Sequence, residues 1–151
     1  MDKGQGYYGN QMQVKDLDGN SCNWQLIGNI SHGTAQNKSS LHLQARNLIH
    51  ECFPTLQVLE EVAVNIRRTE TLYLDFYLPL IKRCIEVHGE QHYKFNQFFH
   101  NSALGFIRHK KRDKEKQEWC ALNGIAYIEL PFNEIEHWKP RIKNEYQRTS
   151  E

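Results

Sequence analysis

The segment Leu74–Tyr93, LDFYLPLIKRCIEVHGEQHY, determines the expected fold of this chain. Before Pro79, and again after it, successive side chains are predicted to alternate between two faces. This two-residue period is typical of β-strands. The first strand is predicted to direct Leu72, Leu74 and Phe76 to one face, with Tyr73, Asp75 and Tyr77 on the other. The short Pro79-Leu80 connection predicts a hairpin with the strand Ile81–His88, which places Asp75 near Glu86 across the ladder.

Sequence patterns around this hairpin predict the remaining elements. Ser39 or Ser40 can cap a helix, whose apolar period runs to Cys52. The further predictions are a strand over Val58–Ile66, a helix from about Ser102 to Leu122, a strand over Ile125–Leu130 and a helix over Phe132–Tyr146. This order predicts an α/β (α+β) fold with a mixed four-stranded sheet flanked by helices.

The N-terminal part differs in composition from the rest. Residues 1–38 are rich in Gly, Asn, Gln and Ser, which predicts an N-terminal arm or irregular extension that contains a short strand over Trp24–Ile30. Residues 39–151 are predicted to form the functional domain. A chain of 151 residues is long enough for one hydrophobic core.

The overall composition excludes several protein classes. The four cysteines are widely spaced without a CxxC pair, which argues against a zinc ribbon and a disulfide scaffold. Cys52, Cys84 and Cys120 are therefore predicted to be small buried thiols. No apolar run approaches the roughly 20 residues of a membrane span, and the N-terminus lacks a secretory pattern. We expect a cytoplasmic protein without a membrane partner.

Two acids in the hairpin predict a metal site. Carboxylates are rarely buried unless they are paired, hydrogen-bonded or bound to a cation. Asp75 and Glu86 would repel one another if both were charged, and a hard divalent cation relieves that repulsion. The ion would be held by Asp75, Glu86 and a backbone carbonyl, for which Val87 is the expected donor.

Imidazoles and an amide accompany this pair. His88 follows Glu86 by two residues and projects from the same face of its strand. Gln91 and His92 come after the Gly89 turn and can fold back over that face. Metal-assisted phosphodiester hydrolysis needs such a set, because the ion activates water while a basic side chain moves its proton.

The segment resembles the core of the PD-(D/E)XK, or restriction-endonuclease-like, superfamily. Asp75 matches the first Asp of its motif, and Glu86-Val87-His88 matches the acidic-x-Lys triplet with His in place of Lys. The His, together with the HG dipeptide and the trailing His92, is similar to the very-short-patch-repair endonucleases and the EDxHD homing endonucleases. Asp113 in KKRDKEKQE looks like the Asp of their "RD" element. The resemblance covers about Ser39–Pro131.

The resemblance implies a Mg²⁺-dependent endonuclease that hydrolyses DNA phosphodiester bonds, with Mn²⁺ expected to substitute. His88 would orient or deprotonate water in place of the lysine, and His92 would assist at the leaving group or phosphate. It also implies a phage or mobile-element product, acting in bacterial or infected-host cytoplasm. One departure concerns the first helix, where the related nucleases carry a Glu and this chain has His42; Glu60 or Glu61 is the nearest acid downstream. His42 could act at the site as a proton carrier, but not as a hard anionic ligand.

The basic run from Arg108 to Glu118 could contact nucleic acid. The expected phosphate-binding residues are Lys110, Lys111, Arg112, Lys114 and Lys116. The alternative is a solvated helix face, which is the usual role of charge runs. Trp119, Trp138, Phe98 and Phe99 are predicted to lie in the core.

Two other functions remain open from the sequence. The first is a catalytically inactive module with this fold that binds nucleic acid or a protein partner. The missing helix Glu and the exchange of Lys for His motivate it. The second is a nuclease directed at RNA rather than DNA. The sequence leaves the oligomeric state open.

Overall fold

The computed structural model describes residues 5–30 and 39–144 of the chain, with side chains over 12–26 and 39–144. Its strands are β1 (Gln5–Lys15), β2 (Ser21–Ile30), β3 (Leu59–Arg67), β4 (Glu70–Leu78), β5 (Arg83–His88) and β6 (Ala126–Pro131). Its helices are α1 (Ser40–Cys52), α2 (Gln97–His100), α3 (Ala103–Leu122) and α4 (Trp138–Lys143), with short 3₁₀ turns at Pro79–Ile81, Glu90–His92 and Ile135–His137.

The strands form one mixed sheet in the order β1-β2-β3-β4-β5-β6. Neighbouring strands are antiparallel from β1 to β5, whereas β6 lies parallel to β5 after the α3 crossover. The four predicted strands are β3 to β6, so the expected mixed α/β architecture is confirmed. The sheet continues beyond them because β2 pairs with β3.

The N-terminal residues require a correction, because residues 5–30 form a hairpin rather than an irregular extension. Its turn is fixed by Asp16, whose Oδ1 accepts the backbone N–H groups of Asp18 and Asn20, and by Gly19 at a φ of 88°. Val14 and Trp24 are buried on the face that α3 covers. Polar residues alternate with these anchors, so average composition concealed the strands.

The helix boundaries follow their caps. The Ser39 hydroxyl accepts the N–H of His42 at 3.1 Å, and the Ser102 hydroxyl accepts that of Gly105 at 3.1 Å, so the predicted starts of α1 and α3 are confirmed. The last helix is shorter than predicted, since α4 begins at Trp138. The predicted end at Tyr146 lies outside the described residues.

Helices cover the sheet on both faces. On one face, α1 and α4 pack Ile49 and Trp138 against Phe76 and Ile85. On the other, α3 and the N-terminal hairpin bury Trp119 and Trp24 with the thiols of Cys84 and Cys120. The predicted burial of Trp119, Trp138, Cys84 and Cys120 is confirmed, whereas Cys52 is half-buried. No helix within the described residues is both long and apolar enough to cross a membrane.

Two aromatic residues predicted to be in the core are exposed. Phe98 is 85% exposed and Phe99 is 57% exposed. Both belong to α2, a single helical turn of four residues. So short a helix has no continuous buried face, and Phe99 lies at the edge of a surface cleft. The prediction of core positions for Phe98 and Phe99 is therefore wrong.

The strand alternation also breaks at Asp75. Leu72 and Leu74 share a core cluster with Tyr77, whereas Phe76 lies in the cluster on the opposite face. In the partner strand β3, the residue opposite Asp75 is Glu61, whose φ of 53° is left-handed and interrupts the ladder. The expected common face of Leu72, Leu74 and Phe76 is thus wrong at Phe76. Asp75 lies at the irregularity.

Candidate active site

The two hairpin carboxylates meet where β4 and β5 separate. Regular pairing ends at Phe76 and Ile85, one position before Asp75 and Glu86. Beyond this point, the two carboxylates accept backbone N–H groups in place of strand-to-strand hydrogen bonds. Glu86 Oε2 accepts the backbone N–H of Asp75 at 2.5 Å, and Asp75 Oδ2 accepts the backbone N–H of Val87 at 2.9 Å. The predicted proximity of Asp75 and Glu86 is confirmed.

Glu86 lies in an environment that disfavours its charged form. Its side chain is only 1% exposed. Burial, followed by the neighbouring Asp75 charge, raises the pKa of Glu86 from 4.5 to about 7, although Lys116 opposes this rise. The charged form of Glu86 is therefore disfavoured first by its burial and then by the Asp75 charge.

Lys116 supplies the nearest positive charge. Its Nζ donates to Glu86 Oε1 at 2.9 Å from helix α3. Burial lowers the pKa of Lys116, but the attraction of Glu86 and Asp75 outweighs that effect and raises the pKa overall. Lys116, predicted to be a phosphate contact, thus points into the acid pair rather than out to solvent. The spacing of Asp113 and Lys116, one helical turn apart, was a signal that they share a face.

A cleft of about 550 Å³ opens over this pair. Six residues predicted for the site line it, namely His42, Asp75, Glu86, Val87, Gln91 and His92, together with Lys116. They come from α1, β4, β5, the turn after β5 and α3. The fold therefore gathers residues that are up to 74 positions apart in sequence.

His88 occupies a different place from its neighbours. It is buried and is not among the described residues that line the cleft. Its Nδ1 lies 3.5 Å from the Glu129 carboxylate, and its Nε2 lies 3.3 Å from the Tyr127 hydroxyl. Burial lowers the pKa of His88, but the Glu129 hydrogen bond and the Asp113 charge raise it overall.

His92 and Asp113 form a close pair beside the cleft. His92 Nδ1 lies 2.8 Å from Asp113 Oδ2 and 3.3 Å from His109 Nε2. Burial raises the pKa of Asp113, but the hydrogen bond and charge of His92 lower it overall. A second cleft of about 290 Å³ includes His92, His109, Arg112, Asp113 and Lys116. His92 and Lys116 thus border both clefts.

His42 is fixed by buried charges. Its Nε2 lies 2.7 Å from Glu60 Oε1, and Arg46 Nε donates to Glu60 Oε2 at 2.7 Å. The His42 ring also stacks on Phe76 with centroids 4.5 Å apart. Glu60 of β3 is therefore the acid that contacts His42. His42 is the residue found where the related nucleases carry a Glu on the first helix.

The remaining basic residues of α3 lie on its solvent side. Lys110, Lys111, Arg112 and Lys114 are all exposed. They follow one another along the helix that carries Asp113 and Lys116 into the clefts. Their exposure is compatible with phosphate contacts and equally with a solvated helix face.

The donor atoms in the main cleft suit a hard divalent cation. Asp75 and Glu86 contribute carboxylate oxygens, and the neighbouring Asp75 charge adds to burial in raising the pKa of Glu86, a repulsion that a cation would relieve. A second candidate group consists of His88, His92 and Asp113, whose ligand atoms lie within 4.8 Å of one another. That set contains imidazole nitrogens, which suit a different class of ion.

Comparisons with known proteins give viral relatives. The chain is 38% identical over 61 residues to uncharacterised protein 033L of Invertebrate iridescent virus 3 and to uncharacterised protein 307L of Invertebrate iridescent virus 6. Each match covers 40% of this chain and 31% of the relative. Uncharacterised protein 094L of Frog virus 3 is 36% identical over 70 residues, which cover 46% of this chain and 45% of that protein.

The matched segments span less than half the length of these relatives. No protein-family model matches the chain. No solved structure matches it either.

Proposed function

We propose that this protein is a metal-dependent endonuclease that hydrolyses phosphodiester bonds in DNA. The observation that supports it most is the opened β4–β5 hairpin. There Glu86 bonds the backbone of Asp75, and Asp75 bonds the backbone of Val87, so two carboxylates are fixed side by side at the floor of a cleft. An ordinary strand pair would have satisfied these N–H groups through the ladder.

Asp75, Glu86 and the Val87 carbonyl would hold Mg²⁺, and Mn²⁺ should substitute for it. When bound, the ion supplies Lewis-acid activation of the phosphodiester and of the attacking water. Lys116, fixed 2.9 Å from Glu86, offers an ammonium group that can orient water or stabilise developing negative charge. Lys116 would therefore have the water-orienting role that the family resemblance assigned to His88.

His92 is the side chain placed to move a proton at the cleft. Asp113 accepts from or shares a proton with its Nδ1, which fixes the ring and leaves the other nitrogen for the leaving group or phosphate. Gln91 lines the same cleft and can donate to a phosphate oxygen. His88 stacks on His92 with ring centroids 4.1 Å apart and so supports its orientation.

The order of elements is compatible with a restriction-endonuclease-like core. Helix α1, the β3–β4–β5 meander, helix α3 and the parallel strand β6 follow the sequence expected of that core. The viral relatives support a virus-encoded origin, and we propose that the protein acts in the cytoplasm of the infected host.

A second candidate function is a nucleic-acid-binding or protein-binding module without catalysis. The Lys116–Glu86 ion pair favours it, because a permanent ammonium group already supplies one positive charge to the acid pair. Titration calorimetry with Mg²⁺ separates the two functions. The nuclease must bind Mg²⁺ at Asp75 and Glu86, whereas the inactive module should show no heat of binding there.

The proposed function is tested by incubating supercoiled, linear, single-stranded and branched DNA, and RNA, with the protein in Mg²⁺ or Mn²⁺. Wild type should cleave DNA in a metal-dependent manner, and Glu86→Gln should lose that activity. Glu136→Gln is the matched control, since Glu136 is an exposed acid that is not among the described residues lining the cleft. Cleavage that persists in Glu86→Gln would refute the assignment, and preferential cleavage of RNA would redirect the substrate.

A further inference from the structure

A compact group of metal-ligating side chains lies beside the acid pair. His88, His92 and Asp113 bring one ligand atom each to within 4.8 Å of the others. The imidazole rings of His88 and His92 are stacked almost in parallel, at 8°. His109 approaches from α3, with its Nε2 3.3 Å from His92 Nδ1. One carboxylate is therefore surrounded by three imidazoles.

The spacing of these atoms suits direct coordination. Zn²⁺ binds His nitrogen and Asp oxygen at about 2.0–2.2 Å, so two ligands of one tetrahedral ion lie roughly 3.4 Å apart. The His92 Nδ1 to Asp113 Oδ2 separation is 2.8 Å, and a ring nitrogen of His88 lies within 4.8 Å of the ligand atoms of both. Imidazole lone pairs lie in the plane of the ring, so the His88 and His92 rings would turn out of their parallel stack to bind one ion, which would replace the hydrogen bond between His92 and Asp113.

Surrounding groups orient the ligands from behind. Glu129 lies in β6, parallel to β5, and its carboxylate approaches His88 Nδ1 at 3.5 Å. The Tyr93 hydroxyl also donates to Glu129. A carboxylate behind an imidazole fixes its tautomer and raises its basicity as a ligand, which is the usual outer shell of a histidine-bound metal.

We infer that His88, His92 and Asp113 form a second cation site, selective for imidazole-binding divalent ions such as Zn²⁺, and that its occupation inhibits the nuclease. The selectivity follows from the donors, because the acid pair offers oxygens only, whereas this group offers two imidazoles and one carboxylate. The inhibition rests on the proposed function. His92 lines the main cleft, and an imidazole held by a cation cannot move a proton there.

The site itself is tested with Co²⁺, a spectroscopic probe for tetrahedral zinc sites. One equivalent of Co²⁺ added to the full chain should give visible d–d absorption bands, which excess Zn²⁺ removes. His92→Gln and Asp113→Asn should lose these bands. His137→Gln, at an exposed histidine, and Glu86→Gln, in the acid pair, should retain them. Circular dichroism of each variant checks that it is folded.

Several results would overturn the site. They are the absence of bands in wild type, bands that survive both His92→Gln and Asp113→Asn, and bands that disappear only in Glu86→Gln. The inhibition has its own test, in which one equivalent of Zn²⁺ should slow Mg²⁺-dependent cleavage at least tenfold in wild type. Unchanged cleavage with Zn²⁺ bound would overturn it. A wild type that binds Co²⁺ but cleaves nothing would refute the proposed function, and with it the inhibition, but not the cation site.

Discussion

Replacing Glu86 by Gln should make the metal-free protein more stable at alkaline pH while it abolishes function. Glu86 is buried, and burial together with Asp75 raises its pKa from 4.5 to about 7. Gln is isosteric with the protonated carboxyl group and carries no charge. The variant therefore resembles the low-pH form of the site at every pH. It no longer places a charged carboxylate in a buried position beside the Asp75 carboxylate.

The magnitude follows from linkage. A folded-state pKa above the unfolded value means that the folded protein binds the extra proton between pH 4.5 and about 7. The contribution to the free energy of unfolding is present below pH 4.5 and is lost as the pH rises through 7. At 1.36 kcal/mol per pH unit, the loss is about 3 kcal/mol. Wild type and Glu86→Gln should thus be similarly stable near pH 4.5 and differ by about 3 kcal/mol at pH 8.

The assay is urea unfolding at pH 4.5 and pH 8 in the presence of a chelator, followed by tryptophan fluorescence, with Glu136→Gln as the control. The control should track wild type at both pH values. The same unfolding curves with saturating Mg²⁺ should show stabilisation of wild type and none of Glu86→Gln, because only wild type keeps the ligand. A variant no more stable than wild type at pH 8, or a difference independent of pH, would refute the reasoning.

Two further variants test other parts of the structure. Lys116→Met should reduce cleavage at least tenfold while leaving DNA affinity nearly unchanged. Lys114→Met, on the exposed side of α3, should leave cleavage intact and make DNA binding less salt-dependent by about one counterion. Equal effects of the two variants in cleavage and binding assays would contradict these separate roles. Trp24→Ala should cost about 3–5 kcal/mol in urea unfolding, because Trp24 packs on Tyr77 and Trp119 with ring centroids 5.0 Å apart. A loss below about 1 kcal/mol would mean that the N-terminal hairpin does not contribute to the core.

Local sequence signals predicted the central elements well. Helix α1 and helix α3 begin at the serine caps that the sequence offers, and the alternation of β4 and β5 with Pro79-Leu80 between them specifies the hairpin. The proximity of Asp75 and Glu86 followed from that hairpin alone. These features depend on neighbouring residues in the chain, which is why one sequence sufficed.

Features that depend on distant packing were missed. The N-terminal strands are stabilised by Trp24 against Trp119 on α3, a contact that composition does not report. The reversed faces at Phe76 depend on Glu61 in the neighbouring strand, where a left-handed backbone is unusual for Glu. Lys116 looked like one of many cations in a charge run. Only the docking of α3 onto the sheet distinguishes it from the exposed Lys114.

The burial of His88 was hidden for the same reason. Its position two residues after Glu86 correctly implies a common face of β5, but the strand pairs with β6 at that point. Tyr127 and Glu129 of β6 surround the imidazole and draw it away from the cleft. A fourth strand could be predicted from the sequence, but which of its side chains would reach His88 depended on the parallel register.

The role of Asp75 in metal-dependent catalysis is measured by the rate at which wild type and Asp75→Asn cleave supercoiled DNA across a Mg²⁺ titration. Asn keeps the size of Asp75 and removes only its charge. If Asp75 and Glu86 hold the ion, wild type should show saturable Mg²⁺ dependence, and the variant should be slower by on the order of 100-fold or more. Equal rates in the two proteins, or cleavage by wild type that does not depend on a divalent ion, would show that Asp75 and Glu86 do not hold a catalytic ion.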